Sequence, residues 1–189
     1  MKAKGSGQSS LLLLDVIIVL DKLDIPYAIV GAMAASFYGV VRASMDADAV
    51  ISVDESQPHV KDLLSECKKR RWKVIHRRGD EADPIGAVIN IQDHYNNRVD
   101  LLIGIRGMKP DVFSRARVSS FLGSQIRIIA IEDFIAMKIF AGGQLDIQDV
   151  IGVFKVSGEK IDRVLLKKAV AHYGKKASAA LNSLLHDFL

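Results

Sequence analysis

Two hydrophobic periods alternate along this chain. Residues 10–23, "SLLLLDVIIVLDKL", are apolar apart from Ser10, Asp15, Asp21 and Lys22. This predicts a buried first helix with Ser9 or Ser10 as its N-cap. After Pro26, "YAIVG" (27–31) is a short continuously apolar strand, and "AMAASFYGV" (32–40) is helix-forming with Gly39 near its end. "DADAVISV" (46–53) alternates and then turns apolar, as a second strand would. Residues 57–70 carry Val60, Leu63, Leu64 and Cys67 at helical spacing, and 72–75 form a third strand. Residues 87–92 and 98–103 flank the turn-prone "DHYNN" and predict a hairpin, and 125–130 reads as one more strand. From residue 131 onward four segments are helical. Strands mixed with helices, then helices alone, predict an α+β fold: a mixed β-sheet flanked by helices, with a C-terminal helical subdomain. The expected division is an α/β domain over 1–130 and a helical region over 131–189 packed on it.

Composition narrows the class. Of 189 residues, 49% are apolar and 25% charged, with no repeats or low-complexity tracts, as in an ordinary globular protein. The single cysteine, Cys67, excludes an intramolecular disulfide framework, suits a reducing compartment and sits beside Leu63 and Leu64 as a core residue. The basic start and apolar run of "MKAKGSGQSSLLLLDVIIVL" resemble a signal peptide. Asp15 interrupts that run, however, and its apolar part is shorter than the roughly 20 residues that span a bilayer. The expectation is a cytoplasmic protein without membrane association. The net charge of +4 concentrates in "KKRRWKVIHRR" (68–78), which is either a solvated helix end and edge strand or a surface for RNA or another polyanion. His76, His94 and His172 show no metal-ligand spacing.

Candidate chemistry lies in the carboxylates. Residues two apart in a strand share a face, so Asp46 and Asp48 project together. Such a pair is either a solvated strand end or an oxygen-rich cation site of the kind that suits Mg²⁺. Asp100, in the apolar "RVDLLIG", is either ion-paired, with Arg98 for example, or a third ligand. Three convergent carboxylates can hold two cations for an in-line phosphoryl displacement. "VGAMAAS" leads from strand into helix through Gly31 and Ala32, where backbone N–H groups can cradle a phosphate, and Arg42 is a candidate bidentate donor.

In this order (strand, Gly turn, helix, Arg, D-x-D strand, later Asp) the chain resembles the nucleotidyltransferase superfamily related to DNA polymerase β. Gly31-Ala32 stands at its G-[GS], Asp46 and Asp48 at its D-x-[DE], and Asp100 at its third Asp. More narrowly, "GAMAASFYGVVRASMDADAVI" resembles bacterial AbiEii-type, toxin-like nucleotidyltransferases. Gly31, Ala34, Gly39, Arg42, Ser44, Asp46 and Asp48 fall on that segment. "EDFIAMKIFAGGQLDIQDV" resembles the same group's helix–turn–helix, placing Lys138, Asp146 and Asp149. Ala32 and Gln144 depart from the pattern.

The resemblance implies that Asp46, Asp48 and Asp100 hold two Mg²⁺ ions against an NTP substrate, Asp100 helping to deprotonate the acceptor hydroxyl. Gly31, Ala32, Arg42 and Ser44 would face the triphosphate. Lys138 would close over the nucleotide, or would be a surface lysine on an otherwise core-facing helix. Asp146 and Asp149 would position Lys138, or Asp146 would N-cap the next helix. The activity implied is transfer of an NMP to a hydroxyl of RNA, protein or a small molecule, in a toxin–antitoxin or defence setting with an antitoxin partner. The alternative is a nucleotide- or partner-binding module of the same fold without catalysis.

Overall fold

The computed structural model describes residues 2–53 and 58–187. α1 (Ser9–Lys22) leads to β1 (Tyr27–Ile29), α2 (Gly31–Phe37) and β2 (Asp46–Ile51). α3 (Pro58–Lys69) precedes the meander β3 (Lys73–Arg78), β4 (Ile85–Gln92) and β5 (Arg98–Ile105). A short α4 (Asp111–Arg115) introduces the hairpin β6 (Arg117–Phe121) and β7 (Ser124–Ile128). The chain ends in α5 (Ile131–Ala141), α6 (Gln144–Ser157), α7 (Arg163–Ala171) and α8 (Lys175–Asp187). All seven strands form one mixed sheet in the order β3-β4-β5-β2-β1-β7-β6, with β2 parallel to β5 and β1 parallel to β7.

Period-two alternation gives the sheet its two faces. Ala87, Ile89, Ile91, Val99, Leu101, Ile103, Ala47 and Ala49 are buried beneath α1 and α3. Asp46, Asp48, Asn90 and Asp100 alternate with them and face the other way, only partly covered. On that second face α5 packs against α6, α7 and α8. Tyr38, at the end of α2, donates its hydroxyl to the Ile129 carbonyl at 2.5 Å and lies 5.9 Å from the Phe134 ring, joining α2 to the start of α5. Among the described residues no helix is long and apolar enough to cross a membrane.

Several expected boundaries shift. The N-cap of α1 is Gln8, not Ser9 or Ser10. Ser9 is buried, its hydroxyl donating to the Met45 carbonyl and accepting the Arg98 N–H, so tertiary contacts take the oxygen that a cap would use. α4 and β6 have no counterpart in the sequence pattern. The basic run 68–78 divides between the end of α3 and the edge strand β3.

Just before that run, Glu66 collects Lys22, Lys69 and Arg70 at 3.1, 2.8 and 2.8 Å. Hydrogen bonds from Lys69 and Arg70 hold its carboxyl down to about 2. A depressed carboxyl stabilises the fold above its ordinary value near 4.5, and that contribution is lost as pH falls toward 2. Glu66→Gln is therefore expected to lower Tm at neutral pH and to flatten the Tm-versus-pH curve below 4.5, checked by thermal melts across that range.

Candidate active site

The β2–β5 pairing decides where the acids meet. Its parallel register sets Asp48 opposite Asp100 and Asp46 opposite Arg98. Asp46, Asp48 and Asp100 each offer a carboxylate oxygen, and these lie within 4.8 Å of one another. Each acid has its own support. Asp46 accepts from Ser44 Oγ at 2.8 Å and has Arg98 at 3.7 Å, while Asp100 accepts from Asn90 Nδ2 at 2.7 Å. Arg98 thus pairs with Asp46, and the Arg98–Asp100 pair considered from the sequence does not form. Asp48 is the most perturbed: burial first, then the charges of Asp46 and Asp100, push its carboxyl up to about 6 against the opposing pull of Lys138 and Arg42. Three all-oxygen donors that repel one another in a half-buried setting suit a hard divalent cation.

Gly31 makes room for this cluster. It opens α2 at φ +62°, and a Cβ there would lie 2.1 Å from Asp48 Oδ2. The preceding Val30 N–H bonds the Asp48 carbonyl at 2.9 Å, locking the turn to β2. The N–H of Ala34 is bonded to Val30 O at 3.3 Å, while a helix's first amides lack intrahelical acceptors. Gly31→Ala is expected to cost about 1–2 kcal/mol for the left-handed backbone. By displacing the Asp48 carboxylate it should also weaken divalent-cation binding, as isothermal titration against wild type would read.

A second cluster forms across the cleft. α5 and α6 meet through Gly142, at φ +66°, which turns Lys138 back over Asp146 and Asp149. Lys138 is only 6% exposed, so it is no surface lysine. Its Nζ lies 2.6 Å from Asp146 Oδ1 and 2.9 Å from Asp149 Oδ2. Asp149, buried, also accepts from Arg42 Nε at 3.0 Å and a terminal nitrogen at 3.3 Å. Asp146 does not cap α6 from the N-cap position, which is Gly143; it is the third helical residue and accepts the Gly143 N–H at 3.2 Å.

Between the clusters runs a cleft of about 300 Å³. Gly31, Arg42, Asp48, Lys138 and Asp146 form its polar lining, and Ile85, Leu102, Ile105, Met137 and Phe140 an apolar wall. Ala32 is buried behind this lining and Ser44 is turned to Asp46. Asn90 was not singled out from the sequence, although an amide in the apolar "AVINIQ" was the available signal. Asp149, named only as a helper of Lys138, is the hub that joins Arg42 to Lys138.

Neither protein-family models nor curated proteins match the chain. Solved structures do. A crystal structure of an antigenic nucleotidyltransferase-like protein from Paracoccidioides brasiliensis superposes with a TM-score of 0.51 at 19% identity, over 97% of this chain and 95% of that one. The chain has the nucleotidyltransferase fold. ANT(2")-Ia, crystallised with adenylyl-2"-tobramycin, aligns with TM-score 0.57 and 15% identity over 86% of this chain and 97% of its own. The lincosamide antibiotic adenylyltransferase LnuA, lincomycin-bound, gives 0.52 and 10% over 82% and 100%. At these identities the likeness is one of fold. In that fold the acidic cluster and the Lys138 cluster flank one cleft of this chain.

Proposed function

We propose that this chain is a nucleotidyltransferase that moves an NMP from an NTP to a hydroxyl acceptor. The observation that carries the reading is the convergence of Asp46, Asp48 and Asp100 beside a cleft whose far side holds Lys138 and Arg42. The adenylyltransferases among its fold neighbours support it. Asp46, Asp48 and Asp100 would hold two Mg²⁺ ions, which would supply charge neutralisation to the triphosphate and its leaving group. Residues 1–130 carry these carboxylates, and residues 131–189 contribute Lys138 to the opposite wall.

The chain's own groups divide the remaining work. Lys138 donates one ammonium hydrogen to Asp146 and is ion-paired with Asp149, which leaves donor capacity for a phosphate oxygen. Arg42, held by Asp149, adds positive charge beside Asp48. Backbone N–H groups at Gly31 and Ala32 contact the triphosphate, and Ser44 fixes the Asp46 carboxylate. The apolar wall of Ile105, Met137 and Phe140 receives the nucleobase and excludes water. Asp100, oriented by Asn90, takes the acceptor's proton. The acceptor oxygen bonds to the α-phosphorus while the α–β bridging bond breaks, so pyrophosphate leaves. The resemblance of residues 31–51 to AbiEii-type nucleotidyltransferases and the single, unpaired Cys67 support a cytoplasmic toxin or defence component with an antitoxin partner.

Incubation with each α-labelled NTP, Mg²⁺ and separate RNA, protein and small-molecule fractions tests the reading. Label transfer that disappears in an Asp46→Ala, Asp48→Ala variant is the expected result. Transfer that survives in that variant overturns the catalytic assignment. Stabilisation by NTP and Mg²⁺ with no transfer to any fraction identifies a binding module instead.

A further inference from the structure

We infer that residues 38–42 and α6 form a latch that aims Arg42 at the triphosphate, with Val40 and Gly152 as its positioning residues. This rests on the nucleotidyl-transfer reading and adds to it the contact that sets NTP affinity. Along α6, Asp149, Gly152, Val156 and Ser157 follow the i, i+3, i+7, i+8 spacing of one helix face. Each meets one residue of the 38–42 segment. Ser157 donates its hydroxyl to the Tyr38 carbonyl at 3.1 Å, and Val156 packs on Gly39. Val40 packs on Gly152, and Arg42 bonds Asp149. As the segment advances from 38 to 42, its partners run back along α6 from 157 to 149.

Two glycines interlock with two valines in opposite directions. A Cβ on Gly39 would overlap Val156 Cγ1, and a Cβ on Gly152 would lie 2.7 Å from Val40 Cγ2 and 3.2 Å from its Cγ1. Gly152 stands inside a 14-residue helix, where alanine would favour the helical backbone. The Val40 methyls fill the space that its missing side chain leaves, and a β-branched side chain cannot swing aside. Steric fit thus fixes where the segment crosses α6.

That crossing decides where Arg42 points. Beyond it the segment is tied down again, by Ser44 Oγ on Asp46 at 2.8 Å and by Ser9 Oγ on the Met45 carbonyl at 2.8 Å. Between the two anchors Val41 and Ala43 are exposed, while Arg42 turns in to line the cleft. Its Nε and one terminal nitrogen bond Asp149 side-on, which leaves donor capacity on the other terminal nitrogen for a phosphate oxygen. Asp149 also holds Lys138, so both cations keep their places only while the segment rests on α6. Asp46, Asp48 and Asp100 belong to strands β2 and β5, across the cleft from α6. Displacing the latch therefore weakens the grip on NTP and leaves the acids that carry the transfer in place.

Gly152→Ala is the test, read by label-transfer kinetics and, independently, by isothermal titration with ATP, GTP, CTP and UTP in Mg²⁺. KM and Kd for the nucleotide should rise about 10-fold while kcat changes less, the scale of a small misplacement. Adding Val40→Ala removes both methyls and leaves the two Cβ atoms 3.6 Å apart, an ordinary contact. The double variant should therefore return to the KM of Val40→Ala alone. Val156→Ala, which unloads Gly39 without a clash, should raise KM in the same direction. Gly158→Ala, where a Cβ meets nothing within 4 Å, should leave it unchanged. A lowered Tm with an unmoved KM in Gly152→Ala, or a raised KM that Val40→Ala does not relieve, overturns the proposal. If Gly152→Ala does not fold, Val156→Ala decides, and a wild-type KM there overturns it. Nucleotide binding by wild type without transfer to any acceptor overturns the transfer reading alone; a Kd unmoved by Gly152→Ala then overturns the latch. No binding of any of the four nucleotides overturns both.

Discussion

Asp48→Asn is expected to abolish nucleotidyl transfer and, at the same time, to raise the Tm of the metal-free protein. The two effects have one cause. In the folded chain, burial and the charges of Asp46 and Asp100 push the Asp48 carboxyl up to about 6 from an ordinary 3.8. A raised acid favours the fold below its unfolded value, and that advantage is lost as pH rises through about 6. Above that pH the ionised Asp48 opposes folding by on the order of 2 kcal/mol, and a neutral amide of the same shape removes the opposition. A divalent cation with NTP should reverse the ranking, stabilising wild type well above the variant. Transfer should fall by about 10³-fold or more, the scale on which single electrostatic groups act in such sites. Melts of both proteins with and without Mg²⁺ and NTP at pH 5 and pH 8, alongside label transfer, read all of this. A variant that is less stable without metal at pH 8, or as active as wild type, would sink the assignment.

The second large effect belongs to Asp149. It is 2% exposed and bonded to both Arg42 and Lys138, so Asp149→Leu leaves two cations without their shared carboxylate. Removing one partner of a buried ion pair costs about 3–5 kcal/mol. Because that loss alone would lower activity, the informative variant is Asp149→Asn, which keeps the shape and one acceptor oxygen. With Arg42 and Lys138 no longer held, NTP binding should weaken by about 10–100-fold in KM while kcat changes less, the pattern of a positioning residue. Kinetics on whichever acceptor is labelled provide the measurement. An unchanged KM would reduce Asp149 to a structural anchor.

Much of this was legible along the chain because it is local. The D-x-D spacing places Asp46 and Asp48 on one face of any strand, and the Gly31 turn, Arg42 and the Lys138 helix each lie within one or two elements. Other parts depend on partners distant in sequence. Ser9 reads as a cap, yet Met45 and Arg98 occupy its hydroxyl. β6, "RVSSF", carries weak strand chemistry and turns through Leu122 and Gly123, the first at φ +49°, without the Asn-Gly or Asp-Gly signal of a tight hairpin. Lys138 on its own helix is indistinguishable from a surface lysine; its burial comes from α6 folding back through Gly142.

Sequence alone determined the element types apart from α4 and β6, the mixed sheet with trailing helices, and the residue kinds able to hold a divalent cation, since periodicity and side-chain chemistry are properties of a few neighbouring residues. Tertiary structure decided the register that sets Asp48 opposite Asp100, the hub at Asp149, and the seat of Val40 on Gly152. Each of these depends on which distant strand or helix packs against which, and strand order and helix coverage are fixed only when the whole core closes.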